Sequence, residues 1–290
     1  MVITSITGGL GNQLYQFSAG YTLSKLLKTK LVLDASYFKH NHKRKDAGNY
    51  EAHLFKIINT EGVFDVIQSP TYSRIIRVYL KILSFLFPSK CGFNISNEKK
   101  AFNYEVLVNK SKNNYINGYW QNLLYHEEKL EEIISILNLE NLRKIDTSSV
   151  ETIGVHVRKG DMKDTKVDIC TANYYNNAIE KIIKIKNLNK KDIKIIIFSE
   201  DHAWIKENLN LNEFNYEIIS GDWSTTIEDF KKMSSCNNLV MCNSTYSLWA
   251  ANIITFREEK SIVIYPDRWS DLLFSKDLNL FQKYWIENNI

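Results

Sequence analysis

The chain has 290 residues, of which 44% are hydrophobic, 24% charged and 12% aromatic. Those proportions exclude a disordered, collagenous or coiled-coil chain, and the length suits two modest domains or one large one. Thirty-seven Lys and Arg against 33 Asp and Glu leave a formal net charge of +4. That balance is too even to mark a nucleic-acid binder, yet it suits a local anionic ligand.

The pattern opens as a short strand over Val2–Ile6, a glycine turn Gly8-Gly9-Leu10-Gly11, a helix from Asn12 to about Leu27, and a second strand over Lys30–Leu33. This is the βαβ start of an α/β domain. From Asp34 to about Asn114 the signal is mixed, with helical stretches near 50–60 and 72–87. Ile75–Phe87 is strongly apolar, with Arg74, Arg77 and Lys81 among it. It reads as a core or interdomain helix; the alternative is a basic amphipathic face on a membrane surface. Glu127–Leu137 reads as a helix, and the polar stretch Asn141–Ser149 as a linker.

A second cycle follows. Strands are expected over Thr152–Val157, Ile193–Phe198, Tyr216–Ile219, Asn238–Cys242 and Ser261–Tyr265. Helices are expected over Ala172–Ile185, Ala203–Leu209, Thr226–Ser235 and Ser244–Ile254. Strands alternating with helices call for parallel sheets. The expected organisation is therefore two Rossmann-like domains, 1–145 and 150–290, facing across a cleft.

The four cysteines, Cys91, Cys170, Cys236 and Cys242, form no C-x-x-C pair, so neither a zinc site nor a disulfide scaffold is expected. The first residues carry no basic stretch followed by an apolar run, and no run of about 18 apolar residues occurs anywhere. The expected compartment is a reducing cytoplasm, with peripheral contact at the inner membrane face as the alternative.

Four constellations carry chemistry. In Gly8-Gly9-Leu10-Gly11-Asn12-Gln13 a strand feeds a glycine turn and a helix N-terminus, which presents backbone N–H groups to an anion or a sugar hydroxyl. A plain βα turn is the competing reading, since neither G-x-G-x-x-G nor a P-loop is present. In Val155-His156-Val157-Arg158-Lys159-Gly160-Asp161, His156 and Arg158 alternate onto one face at the C-terminal end of a strand. Open α/β sheets place their ligands there. Arg158 offers a fork matched to phosphate, and Lys159 adds charge beside it.

In Asp229–Trp249 a helix leads to a strand ending in Asn243-Ser244-Thr245, where a helix begins. These residues either cap that helix or join its N–H groups around a phosphate. Phe198-Ser199-Glu200-Asp201 puts acids at another strand end, for ribose or guanine or as a helix cap. Trp204, Trp223, Trp249 and Trp269 read as core or cleft wall. No Asp-x-Asp occurs, so the usual carboxylates for a metal-bound nucleotide diphosphate are missing, and no cysteine has the setting of a nucleophile.

These residues resemble the α-1,2-fucosyltransferases, of the bacterial type in glycosyltransferase family 11. Gly8-Gly-Leu-Gly-Asn-Gln-Leu-Tyr-Gln16 is similar to their N-terminal motif, and His156-Val-Arg-Lys-Gly-Asp161 to their H-x-R-[RK]-G-D. Phe198-Ser-Glu-Asp201 resembles F-S-[DE]-D, and the block from Asp229 to Trp249 matches a further motif. Met162 and Leu248 depart from the residues the family often has.

The resemblance implies a two-Rossmann GT-B enzyme, inverting, metal-independent and without a cofactor. Its donor would be GDP-β-L-fucose and its acceptor the 2-hydroxyl of a terminal galactose in a glycan. By matching position, Arg158 would bind the diphosphate and His156 would support the nucleotide or phosphate. Ser244 and Thr245, with Asn243, would line the phosphates, and Asp229 would read guanine. Gly9 and Gly11 would belong to the donor site, Asn12 would lie beside the acceptor, and Asp161 is the best-placed general base. Transfer of another GDP-sugar, another fucosyl linkage, and a noncatalytic nucleotide- or glycan-binding module are the rival readings.

Overall fold

The computed structural model describes residues 1–40, 51–58, 64–102, 111, 113–138, 150–160, 165–221 and 223–290. The expected linker lies outside them, as do Asp161 and Met162. The chain divides into two units, Met1–Asn138 and Leu139–Ile290.

The first unit is built on β1 (Val2–Ser5), β2 (Leu31–Asp34), β3 (Phe64–Ile67), β4 (Phe93–Asn97) and β5 (Asn113–Asn117). All pairs are parallel, in the order β3-β2-β1-β5-β4. Helix α1 (Leu10–Leu26) follows β1 and is buried almost all round, so its sequence lacks a polar face. One-turn helices α2 (Tyr37–His40), α3 (Leu54–Ile57) and α5 (Pro88–Cys91) punctuate the loops. Helix α4 (Pro70–Leu86) starts on a Ser69 cap with proline in its first turn, and α6 (Leu130–Ile136) closes the unit.

The sequence pattern shows none of β3, β4 and β5. The reason is chemical: β5 reads Asn-Asn-Tyr-Ile-Asn, yet it is a central strand with Asn114 buried. The Asn114 amide donates to the Ser111 carbonyl at 3.0 Å, while its buried Oδ1 has no hydrogen bond, so a residue type depleted in strands is only half satisfied there. Helix α4 is also only half what the pattern suggests. Ser73 and Leu80 are buried, with Leu80 in a core with Ile3, Val32, Ile67 and Tyr115, while its opposite face is exposed.

The second unit holds β6 (Glu151–His156), α7 (Ala172–Lys186), β7 (Ile193–Ser199), α8 (His202–Asn208) and β8 (Asn215–Ser220). It continues with α9 (Thr226–Ser235), β9 (Asn238–Val240), α10 (Thr245–Arg257) and β10 (Val263–Pro266). A small hairpin of β11 (Arg268–Ser270) and β12 (Leu273–Phe274) precedes the edge strand β13 (Ile286–Asn288). The main sheet is wholly parallel in the order β13-β10-β9-β6-β7-β8. Counted within the unit, that is the doubly wound order 3-2-1-4-5-6 read from the other edge. Ile153, Val155, Ile195 and Ile197 of its inner strands meet Tyr174, Tyr175, Ile179 and Ile182 of α7 in the core.

Candidate active site

In the second unit the winding reverses between β6 and β9, and the crevice beyond their C-terminal ends is where such sheets bind ligands. His156 ends β6, and its Nδ1 lies 3.2 Å from Cys242 Sγ just past β9. The His156 ring stands 5.7 Å from that of Tyr246, in the first turn of α10. Tyr246 donates its hydroxyl to the Thr226 carbonyl at 2.6 Å and meets Phe230 edge-on, so the starts of α9 and α10 are tied together there. Asp229 sits in the first turn of α9 and accepts from Thr225 Oγ1 at 2.7 Å. Burial, then the charges of Asp229 and Glu228, hold the Tyr246 phenol far above its ordinary range.

Arg158 is half-buried just beyond β6. Burial and Cys170 raise the Cys242 thiol, and the Arg158 cation works against them, so this guanidinium acts at the same pair of strand ends. Ser244 caps α10 by accepting the Tyr246 N–H at 3.3 Å, and Thr245 is the first helical residue. The first turn of α10 contains no acid, so the positive end of its dipole is not offset from within the helix. A guanidinium, an imidazole and a helix N-terminus at one crevice form an anion-binding arrangement.

Two expectations are corrected. Asn243 is expected to line the phosphates, but both its amide N–H groups are taken, donating to the Val167 and Trp269 carbonyls at 2.9 Å each. It is 6% exposed and holds loops in place. Lys159 is expected beside the phosphate, but its side chain is buried. Its ammonium donates to Asp168 at 2.6 Å and to the Cys170 carbonyl at 2.8 Å, 4.7 Å from the Trp204 ring centre. Burial alternates through this segment: 157 and 159 are buried, while 156 and 158 are half-buried.

Of the acidic pair, Asp201 is a helix cap, accepting the Trp204 N–H at 3.0 Å. Glu200 lies against Gly160, where an added Cβ would come within 2.3 Å of its Oε2. Trp249 and Trp269 are buried, and the Trp223 side chain lies outside the described residues. Burial pushes Cys170 and Cys236 up to about 12, the reverse of an activated thiolate. Among the described residues no three His, Cys, Asp or Glu side chains gather as a metal ion needs.

The first unit has its own reversal between β1 and β5. Gly8 takes φ +74°, so the left-handed position is Gly8; Gly9, the α1 N-cap, is extended at φ −75°, and Gly11 is a buried helical residue. The following glutamines hold this turn. Gln13 donates to the Gly8 carbonyl at 2.7 Å and the Glu51 carbonyl at 2.8 Å, and accepts the Leu54 N–H at 2.9 Å. Gln16 accepts the Thr7 N–H at 2.8 Å and donates to its hydroxyl at 2.9 Å. Asn12 stands at the edge, its Oδ1 accepting from Gln121 at 2.8 Å.

The loop after β5 contributes residues the sequence reading does not single out. Trp120 is fully buried at φ +56°, a conformation rare for an aromatic residue, and it sets Tyr119 and Gln121 on either side. Gly118 leaves no room for a side chain, since a Cβ would meet Glu98 Cβ at 2.4 Å. Glu98 follows β4 and accepts the Tyr119 N–H through Oε2 at 2.7 Å, while its Oε1 is buried with no hydrogen bond.

The family model for Glycosyl transferase family 11 matches residues 93–289. The chain belongs to that family. It is 30% identical to the O-antigen biosynthesis glycosyltransferase WbnK of Escherichia coli, over 91% of this chain and 93% of that protein. It is 27% identical to an α-1,2-colitosyltransferase of Escherichia coli, over 97% and 95%. The crystal structure of NodZ α-1,6-fucosyltransferase soaked with GDP-fucose superposes with a TM-score of 0.51 at 13% identity, covering 87% of this chain and 92% of that one. The fold of this family 11 glycosyltransferase is thus the GT-B type.

Proposed function

We propose that this family 11 enzyme moves L-fucose from GDP-β-L-fucose to the 2-hydroxyl of a terminal galactose, forming an α-1,2 linkage with inversion. The observation that carries the reading is the meeting of His156, Arg158 and the α10 N-terminus at the reversal of a 3-2-1-4-5-6 sheet. The bond from the anomeric carbon to the diphosphate breaks, and GDP leaves with the electron pair. Arg158 and the N–H groups of α10 stabilise the charge that grows on it. The sugar passes through an oxocarbenium-like state, as in glycoside hydrolysis.

The acceptor oxygen bonds to the anomeric carbon and its proton goes to a carboxylate. Asp161 is the choice from sequence, and Glu98, which accepts the Tyr119 N–H in the loop after β5, is a second candidate. Domain 1–145 takes the acceptor and 150–290 the donor in this reading, and no metal takes part. Activity in EDTA then matches that in Mg²⁺; loss on chelation with recovery in Mn²⁺ overturns the metal-free diphosphate site.

A second donor has specific support. The colitosyltransferase relative aligns over nearly the whole chain, and colitose is the 3-deoxy counterpart of fucose. The deciding experiment gives GDP-fucose and GDP-colitose separately to a galactoside array and reads the product linkage by NMR. A fucosylated 2-hydroxyl supports the proposal. Preference for GDP-colitose shifts the donor, another linkage shifts the acceptor site, and no GDP release with any galactoside leaves a binding module.

A further inference from the structure

Among the described residues, the outward face of α4 has no partner. Ile75, Val78, Tyr79, Ile82, Phe85 and Leu86 are each half exposed or more, Phe85 as much as 85%. Their spacing of three and four places them on one stripe about 17 Å long, at 1.5 Å per residue. The helix is not left bare by poor folding. Its other face is pinned by the Ser73 hydroxyl on buried Asp34, by Leu80 in the core, and by Ser84, which accepts the Phe93 N–H at 3.0 Å. Contiguous exposed apolar surface of this kind marks a site of interaction.

Charge identifies the occupant. Arg74 and Lys81 flank the stripe on one side, both exposed, and Lys90 follows in α5. From Ser69 to Asn97 the chain has no aspartate or glutamate. A second copy would set these cations against their own images with no acid to answer them, which disfavours an isologous pair. An anionic lipid surface satisfies both halves: phosphate headgroups meet the cations while the apolar stripe enters the acyl boundary. Among the described residues no helix is long and apolar enough to cross a membrane, so the helix would lie in the interface plane.

We propose that α4 docks this protein on anionic membrane surfaces through the Ile75–Leu86 stripe and its flanking Arg74 and Lys81. The inference does not rest on the donor or acceptor proposed above.

Flotation of the full chain with vesicles tests it without reading transfer. One set is phosphatidylcholine alone and the other mixes in phosphatidylglycerol. The intact protein floats with the anionic vesicles and not with the neutral ones, and high salt weakens its binding. The double variant Ile82→Glu/Phe85→Glu loses flotation, and Arg74→Glu/Lys81→Glu loses most of it, while both keep GDP affinity and activity on a soluble acceptor. Failure of the intact protein to float with anionic vesicles overturns the proposal, whatever the variants do. Equal flotation with both vesicle types overturns the role of charge. A concentration-dependent dimer in sedimentation, abolished by Ile82→Glu/Phe85→Glu, with no vesicle binding, assigns the face to a second copy instead.

Discussion

At the loop edge of the second unit stand a guanidinium, an imidazole and a helix N-terminus whose first turn holds no acid: Arg158, His156 and α10, at the ends of β6 and β9. At the loop edge of the first unit the same kind of parallel sheet ends in neutral amides. Asn12, Gln13, Gln16 and Gln121 stand there, with Glu98 beside Tyr119 and Asp34, at the end of β2, tied up by Ser73 and Tyr115. The scaffolds obey one rule for where a ligand goes. In the proposed function the two edges serve different ligands: a diphosphate needs fixed positive charge, and a polyhydroxyl sugar needs many directional hydrogen bonds and a proton acceptor.

Variants at four positions break or sharpen that contrast. Arg158→Ala lowers turnover by roughly 10²–10³-fold, the scale of one lost transition-state donor, and Arg158→Lys restores only part because a point charge lacks the fork. Normal turnover in folded Arg158→Ala, read by steady-state kinetics, removes the charged edge from the chemistry. Glu98→Gln keeps an acceptor for the Tyr119 N–H but removes the base, and costs roughly 10²-fold in transfer. A folded Glu98→Gln enzyme with intact turnover and an unchanged pH–rate profile returns the role to Asp161.

Asn243→Ala strands the Val167 and Trp269 carbonyls and costs about 2–3 kcal/mol of stability in urea unfolding. Were Asn243 a phosphate ligand instead, stability would hold and GDP affinity alone would fall. Asn12→Ala has the smallest effect on the donor: GDP binding by calorimetry changes by less than tenfold, about 1.4 kcal/mol, while transfer falls. A larger loss of GDP affinity moves Asn12 into the donor site and dissolves the division between the edges.

The second unit is far more legible in the sequence than the first. Its inner strands are largely apolar runs such as Ile193–Phe198, interrupted only by Lys194, and two of its helices open on visible caps, Thr171 and Ser244. The first unit hides β5 behind asparagines, a residue type depleted in strands. It hides Glu98 within Asn97-Glu98-Lys99-Lys100, which reads as solvated charge until β4 brings it against Gly118. The motif around Gly8 is plain in sequence, but not which glycine turns: only the backbone assigns the left-handed position to Gly8. Asn243 and Lys159 mislead for a related reason. Their types suit a phosphate, and only the direction of the side chain reveals that loops and Asp168 have already claimed them.

In each unit the strand made first lies in the middle of its sheet, with β1 between β2 and β5 and β6 between β7 and β9. The Met1 ammonium meets the Asn113 side chain at 3.2 Å, across 112 positions of chain. During synthesis β1 therefore emerges with one edge open and stays so until β5 has left the ribosome. Pairing over such a span is slow, because the loop must close before the contact rewards it. A fragment ending before residue 113 keeps that central edge exposed and pairs with other chains through it. The same wiring makes the sheet of the first unit wait on β5 for its central pairing.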